Sequence, residues 1–157
     1  MAALLKTKVY FPELPSDLVI RTRLYARLDQ ALGARLTLVN APAGFGKTMM
    51  VAAWLRGLQA ESTQDRAPFR VAWYSIEESD DDLSTFVAYL AAALQGTGPG
   101  LLEQWLGSER RQTALSPEET AGELAAALAE GVGRLGGRLI IVLDDYHAVT
   151  DQEIHKF

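Results

Sequence analysis

The sequence predicts an α/β fold in which a parallel sheet lies between helices. Three apolar runs, at residues 36–39, 69–76 and 139–143, have the composition of buried strands. Stretches with apolar residues at helical spacing separate these runs, and helices between strands imply right-handed crossovers and parallel pairing. The third run, LIIVL, shows no polar alternation, so it is predicted to be covered on both faces.

The first 33 residues are predicted to be an extension and a leading helix. Pro12 and Pro15 disfavour helix, so residues 1–20 are expected to be extended. A helix is expected after residues 21–23, because leucines recur at every fourth position there and Gly33 ends the pattern.

The stretch LTLVNAPAGFGKT, residues 36–48, changes from a strand pattern to a glycine turn and then to a helix. Apolar residues after it share one helix face: Val51, Trp54, Leu55 and Leu58. A strand, a glycine loop and a helix that begins with GKT form the P-loop arrangement. The strict pattern GxxxxGK[ST] has glycine where Ala41 stands, and a simple strand-to-helix turn would also contain glycines. The joint occurrence of all three parts favours the P-loop.

This loop has the chemistry of a site for ATP or ADP with Mg²⁺. Consecutive backbone amides at the positive end of a helix bind phosphate oxygens. The residues that would supply them are Ala43, Gly44, Phe45, Gly46, Lys47, Thr48 and Met49. Lys47 is expected between the outer phosphates, where it is also a catalytic candidate, and the Thr48 hydroxyl is a candidate metal ligand.

The third apolar run ends in two acids, which supply the partner that a P-loop requires. Asp144 is expected to hold Mg²⁺ together with Thr48, and Asp145 to polarise an attacking water. A core strand followed by an acidic turn is the alternative for Asp144, and a structural hydrogen bond is the alternative for Asp145. His147 is either a γ-phosphate sensor or an ordinary loop histidine.

Two further helix starts are visible. The acidic run at 77–82 precedes a helical pattern, and Asp80 or Asp81 is expected to cap that helix, although a direct role of residues 80–82 at the site is the alternative. Ser116 and Glu119 have the spacing of a capping box. The helix after them is expected to bury Leu124, Leu128, Val132 and Leu135. A short helix at 101–106 is expected to place Trp105 in the core.

The composition excludes several classes of function. With 157 residues, 48% of them apolar, the chain can bury one core. The net charge of −5 disfavours nucleic-acid binding, and without cysteine there is neither a disulfide nor a thiolate site. No apolar run approaches the ~20 residues of a membrane span, and the segment before Pro12 is too short for a signal peptide. A cytoplasmic protein without membrane contact is expected.

Four segments, taken in order, resemble the nucleotide-binding domain of the large ATP-binding LuxR-type transcriptional regulators, which are signal-transducing ATPases. The segments are LPSDLVIRTRL, LTLVNAPAGFGKT, VAWYSIEESDDDLSTFVAYLAAALQ and LIIVLDDYH, and together they span nearly the whole chain. The family tolerates alanine at the position of Ala41. The resemblance implies that residues 34–157 are a P-loop NTPase domain of three-layer α/β/α fold, in which Asp144 binds the metal and Asp145 is the catalytic acid.

The same resemblance places Val19 and Arg21 near the adenine of ATP. Arg21 and Arg23 precede the phosphate-binding strand and could lie beside the base or ribose, but solvated charges at a helix start explain them equally well.

The resemblance also implies regions that this chain lacks. In the family, a further strand with a sensor residue lies between the P-loop strand and the acidic strand. That strand, the effector-sensing repeats and the DNA-binding helix-turn-helix would follow Phe157. The chain is therefore expected to be an N-terminal fragment with an incomplete sheet, to reach DNA only through an absent C-terminal domain, and to self-associate through open sheet edges.

Three hypotheses about function remain after this. The first is a regulatory ATP-binding switch with slow hydrolysis. The second is a free-standing ATPase or kinase-like enzyme, and the third is an inert fragment. The first is favoured over the second, because no substrate-binding cassette or second nucleophile is visible in the sequence.

Overall fold

The computed structural model describes residues 4–60, 69–98, 101–102, 115–134 and 137–157. Its helices are α1 (Thr22–Ala31), α2 (Lys47–Ala60), α3 (Leu83–Gln95), α4 (Pro117–Arg134) and α5 (Gln152–Lys156). Its strands are β1 (Phe69–Ser75) and β2 (Arg138–Asp144), and short 3₁₀ helices span Lys6–Val9, Glu78–Asp80 and Tyr146–Ala148. Within these described ranges, no helix combines the length and the apolar character needed to cross a bilayer.

The two strands pair in parallel, as the sequence predicts. Their register runs from Phe69 opposite Arg138 to Ser75 opposite Asp144. A backbone hydrogen bond of 3.0 Å from Ile76 N to Asp144 O extends the ladder by one step. The carboxyl ends of both strands therefore lie at the same edge of the sheet, where open α/β sheets bind ligands.

Alternate residues of β1 face two different helical layers. Phe69 and Trp73 belong to a core with α2, whose buried members there are Ala52, Leu55 and Leu58. Ala72 and Tyr74 belong to a larger core on the opposite face, which is filled mainly by α3 and α4. Helices thus cover both faces of the sheet, and the predicted α/β/α layering is confirmed.

Residues 36–39 form no strand, so the prediction for this segment is wrong. Leu36 and Leu38 are 86% and 85% exposed. A strand exists only when a neighbour completes its hydrogen-bond ladder, and the sheet that the structure describes consists of β1 and β2 alone. Apolar composition is therefore not enough to bury this segment, and it lies unpaired on the surface.

β2 is only half covered, although its apolar sequence predicts burial on both faces. Ile141 and Leu143 each remain 36% exposed. They alternate along the strand and so share one face. In the described part of the chain, β2 has a neighbouring strand along one edge only, and side chains near the other edge keep contact with solvent.

The ends of α1 and α4 follow their sequence signals. α1 ends two residues before Gly33. At the start of α4, the Ser116 hydroxyl oxygen accepts from Glu119 N at 3.2 Å, and the Glu119 carboxylate accepts from Ser116 N at 2.8 Å, which confirms the capping box. Leu124 is fully buried, but Val132, which was expected on the same face, is 39% exposed. Trp105 and Leu135 lie outside the described residues.

The N-terminal extension packs against the domain and is not extended throughout. Lys6–Val9 form a 3₁₀ turn, and Lys8 is only 4% exposed. Its ammonium lies 2.6 Å from Asp80 Oδ1 and 2.9 Å from Glu77 Oε2. This ion pair fastens the extension to the segment that follows β1.

Candidate nucleotide-binding site

The glycine loop before α2 has the backbone that its sequence predicts. Gly44 and Gly46 have φ angles of 80° and 75°, in the left-handed region that favours glycine. A Cβ on either residue would meet no heavy atom within 4 Å. The requirement for glycine here is therefore backbone conformation, and the space above the loop is open.

The side chain of Lys47 folds back onto its own loop. Its ammonium donates to the carbonyl oxygens of Ala41 at 2.9 Å and of Pro42 at 3.4 Å. Ala41 has no positive φ, since the described non-glycine residues show one at Asp145 alone. The departure from the strict P-loop pattern at Ala41 therefore adds a methyl group without straining the backbone.

The two predicted halves of the site meet through one hydrogen bond. The Thr48 hydroxyl, in the first turn of α2, donates to Asp144 Oδ1 at the end of β2 over 3.1 Å. These residues are 96 positions apart in the chain. Parallel pairing of β2 with β1, and packing of α2 on that sheet, bring the hydroxyl and the carboxylate together.

The Asp144 carboxylate is suited to a cation. Burial raises its pKa above the ordinary value, and the neighbouring charge of Asp145 adds to this effect, while the Thr48 hydrogen bond and the charge of Lys47 oppose it. A bound cation would relieve the cost of keeping this carboxylate ionised. Hydroxyl and carboxylate oxygens are the ligands that Mg²⁺ prefers, and Mg²⁺ takes one or two of them alongside phosphates and water.

A Mg²⁺ ion at this site would take part of its ligands from phosphate and water. Among the described residues, no group of three or more His, Cys, Asp or Glu side chains is placed to hold a metal ion. A closed cage built by protein ligands alone is not required for Mg²⁺ in a phosphate site.

Asp145 has an unusual backbone. Its φ and ψ are 57° and 34°, in the left-handed region, which costs free energy in a residue with a side chain. Its carboxylate is about half exposed, and Oδ1 lies 3.7 Å from Nδ1 of His147, a side chain that is 82% exposed. The carboxylate is therefore accessible to a water or a substrate at the edge of the sheet.

An open cleft lies beside Asp145, between the segments that follow β1 and β2. Its volume is about 760 Å³, and its lining includes Ile76, Glu78, Ser79, Asp81, Asp145 and Thr150. Sequence reasoning missed Glu78 and Thr150. They carry no motif, and only the register of β1 and β2 shows that they adjoin the site.

The acids at 80–82 have three different partners. Asp80 is 1% exposed and binds Lys8. Asp81 accepts hydrogen bonds from Thr150 and Asp151. Asp82 caps α3, although Asp80 or Asp81 was expected to do so. None of these contacts reaches the glycine loop.

Val19 and Arg21 lie before α1 and are exposed. Val19 is 77% exposed, and Arg21 precedes the first residue of α1. Within the described residues, no hydrogen bond or ion pair joins the Arg21 side chain to residues 41–48. Their expected place near the adenine stays a prediction.

Comparison with known proteins agrees with this geometry. A family model described as an AAA domain matches residues 29–157. The chain is similar to proteins named HTH-type transcriptional regulator MalT from Yersinia pestis, Yersinia pseudotuberculosis and Yersinia enterocolitica. Each is 34% identical, and the matched region covers 98% of this chain and 15% of the relative. The chain thus spans about 15% of the length of these relatives.

Proposed function

Because this chain belongs to the AAA domain family, we propose that it is an ATP-binding switch module that hydrolyses ATP slowly. The observation that carries this proposal is the hydrogen bond of 3.1 Å between the Thr48 hydroxyl and Asp144. It joins the phosphate-binding loop to the acidic strand, which are the two halves of a Mg²⁺-triphosphate site.

Each part of the site has a proposed role. The backbone amides of residues 43–49 bind the phosphates of ATP or ADP at the positive end of α2. Lys47 exchanges its carbonyl partners for phosphate oxygens. Thr48 and Asp144 hold Mg²⁺, and the metal ion, when bound, supplies positive charge that stabilises the transferred phosphoryl group. Asp145 orients the attacking water and accepts its proton.

We propose that Val19 and Arg21 line the adenine side of the site. Residues 1–33 are proposed to be an extension and leading helix, and residues 34–157 the nucleotide-binding domain. The buried contact between Lys8 and Asp80 supports an extension that packs on the domain and does not move independently.

The proposed biological context is a LuxR-type transcriptional regulator of the signal-transducing ATPase class that works in the cytoplasm. The relatives' names include a DNA-binding motif and transcriptional regulation, and this chain corresponds to a small part of their length. Its own charge of −5 is unsuited to DNA. Any contact with DNA is therefore assigned to other regions of such a regulator.

We also propose that the chain self-associates. Leu36 and Leu38 are almost fully exposed, and β2 has an edge without a neighbouring strand in the described part of the chain. Apolar segments and open strand edges promote pairing between copies. Light scattering over a range of concentrations tests this, and a constant monomer mass would contradict it.

Calorimetric titration with ATP and ADP, with and without Mg²⁺, tests the switch proposal. Lys47→Ala is expected to weaken nucleotide binding by roughly tenfold or more, since a charge-assisted hydrogen bond contributes about 1.5–3 kcal/mol. Asp144→Ala should remove the Mg²⁺ dependence more than the binding itself, because the loop amides remain. Lys6→Ala, a change at an exposed lysine in the N-terminal turn, is the matched control.

The outcomes separate the three hypotheses. Mg²⁺-dependent binding with negligible turnover supports the switch, and rapid multiple turnover indicates a free-standing ATPase. Absence of binding at millimolar nucleotide, or equal affinity of wild type and Lys47→Ala, contradicts the proposed site.

A further inference from the structure

The segment that follows β2 is held at both of its ends. At its start, Asp144 is fixed by strand pairing and by the Thr48 hydroxyl. At its far end, Thr150 and Asp151 are bound by a carboxylate from a distant part of the chain, Asp81. Between these anchors lies Asp145, the catalytic candidate.

The far anchor is a three-donor site on one carboxylate. Asp81 Oδ1 accepts from the backbone amides of Thr150 and Asp151, each at 2.8 Å. Asp81 Oδ2 accepts from the hydroxyl of Thr150. These contacts span 69 and 70 positions in the sequence, so they connect the segment after β1 directly to the segment after β2.

The pKa of Asp81 is lowered by the same three contacts. The hydroxyl of Thr150, followed by the amides of Asp151 and Thr150, lowers the pKa of the Asp81 carboxyl below its ordinary value, against a small opposing effect of burial. The charge of His155 also lowers the pKa of the Asp81 carboxyl. Asp81 is therefore ionised at neutral pH and available as a triple acceptor.

The enclosed segment needs such an anchor because of its backbone. Asp145 has a φ of 57°, and among the described non-glycine residues it alone has a positive φ. A strained conformation of this kind persists only where the surrounding structure enforces it. Here the 3₁₀ turn of Tyr146–Ala148 and the buried side chain of Val149 continue from Asp145 to the anchored Thr150.

We propose that Asp81 is a positioning residue for the proposed hydrolysis step: it holds Thr150 and Asp151, and thereby fixes Asp145 in the orientation in which its carboxylate faces the attacking water. This proposal deepens the proposed function and rests on it. Asp81 itself touches neither the glycine loop nor the metal ligands in the contacts described. It acts through the five residues that separate Asp144 from Thr150.

The backbone segment that carries Asp81 is itself held in place. Asp80, its neighbour, is buried against Lys8, and Asp82 caps α3 through Thr85 N at 3.0 Å. The carboxylate of Asp81 therefore projects from a segment that is fastened on both sides. An anchor of this rigidity can impose a geometry on the opposite segment.

Two variants of Asp81 and two controls test the proposal. Asp81→Ala removes all three acceptor contacts. Asp81→Asn keeps an oxygen for the two backbone amides, and its NH₂ group can donate to the Thr150 hydroxyl. Glu13→Gln removes a charge from an exposed side chain that does not line the cleft. Asp82→Ala removes a helix cap and so lowers stability without releasing Thr150.

Amide hydrogen exchange of residues 145–151 is measured first, without nucleotide. Asp81→Ala is expected to accelerate exchange at Thr150 and Asp151 by roughly tenfold or more, since each lost contact is a hydrogen bond to a charged group. Asp81→Asn should restore most of the protection. Exchange in Asp81→Ala within about twofold of wild type would overturn the proposal.

Turnover and affinity are measured next, with slow hydrolysis followed as a single turnover. Asp81→Ala should reduce the rate of ATP hydrolysis while the Kd for ADP, which depends on the glycine loop, stays at the wild-type value. Glu13→Gln should change neither. A parallel loss of rate, affinity and thermal stability, as expected for Asp82→Ala, would indicate general destabilisation and refute a positioning role. If the wild-type chain binds no nucleotide, the proposed function fails, and the exchange data still decide whether Asp81 orders this segment.

Discussion

Replacement of Lys8 by methionine should destabilise the protein strongly, because it leaves a buried carboxylate without its counter-charge. The Lys8 ammonium lies 2.6 Å from Asp80 Oδ1, and the two side chains are 4% and 2% exposed. The remaining donors to Asp80 are the Glu77 amide at 3.0 Å and the Ser79 hydroxyl at 3.3 Å. Methionine retains the length of the side chain, so the change isolates the charge.

The expected cost follows from this burial. Breaking a buried ion pair by removing one partner costs about 3–5 kcal/mol, a large part of the roughly 5–15 kcal/mol that stabilises a domain. At about 2–4 °C per kcal/mol for a chain of this size, Tm should fall by about 6–20 °C. Because Glu77 is 64% exposed, its own contact with Lys8 adds little to this cost.

Urea unfolding at neutral pH measures the effect, with Lys6→Met as the exposed control in the same turn. The double variant Lys8→Met with Asp80→Asn should be less destabilised than the sum of its two single changes, because the neutral amide needs no counter-charge. A cost below about 1 kcal/mol for Lys8→Met, as in a surface pair, would refute the reasoning. So would additivity of the two changes.

The pH dependence of this ion pair has a defined sign. Burial lowers the pKa of Lys8, but the hydrogen bonds and charges of Asp80 and Glu77 outweigh it, and the pKa lies above its ordinary value of 10.5. The stabilisation from this shift is therefore complete below the unfolded pKa and is lost only in alkaline solution, as the pH rises through the folded pKa.

Four further changes have expected outcomes that unfolding measurements can check. Tyr74→Phe should leave stability unchanged or raise it slightly, because the buried Tyr74 hydroxyl has no hydrogen-bond partner at ordinary distance among the described residues. Burial, and after it the nearby Asp80 carboxylate, raise the pKa of Tyr74, so a loss above about 1 kcal/mol would show that the hydroxyl donates to Asp80. Gly131→Ala should destabilise α4, since its Cβ would collide with the carbonyl oxygen of Leu101. Gly122→Ala, in the same helix, has open space and should stabilise by about 0.5–1 kcal/mol. Asp82→Asn should lower stability at neutral pH and lose this effect in acid. Burial raises the pKa of Asp82, but the hydrogen bonds from Ser84 and Thr85 together outweigh burial and leave the pKa below its ordinary value. The contribution of Asp82 is therefore present above the unfolded pKa and disappears as the pH falls through the folded pKa. An equal effect of Asp82→Asn at both pH values would contradict that assignment.

The parts of the fold that were predictable from sequence are those with local or strongly periodic signals. β1 and β2 are apolar runs with clear ends, and each finds the other as a partner. The capping box of Ser116 and Glu119 depends on residues three positions apart. The left-handed angles of Gly44 and Gly46 follow from a motif that specifies its own backbone. In each case the predictive signal lies within one short stretch of the sequence.

The parts that were not predictable depend on distant partners. The segment at 36–39 has strand composition, but pairing requires a neighbour that the described sheet does not provide. Lys8 has no sequence signal at all, because its burial depends on Asp80, 72 positions away. The run at 80–82 looks uniform in sequence, yet Asp81 has its donors beyond β2. The tertiary structure decides that these three adjacent acids have different partners.

The contacts of Lys47 have a consequence for how the loop distinguishes ligands. With its ammonium satisfied by the carbonyl oxygens of Ala41 and Pro42, the side chain already has acceptors, and an incoming molecule must offer better ones. A neutral polar group would merely replace one dipole with another and gain almost nothing. A phosphate brings full negative charge, and hydrogen bonds to charged acceptors are roughly twice as strong as neutral ones. The loop therefore selects ligands by their charge, independently of any contact with the base or the sugar. A nucleoside without phosphates would leave Lys47 bound to its two carbonyl oxygens.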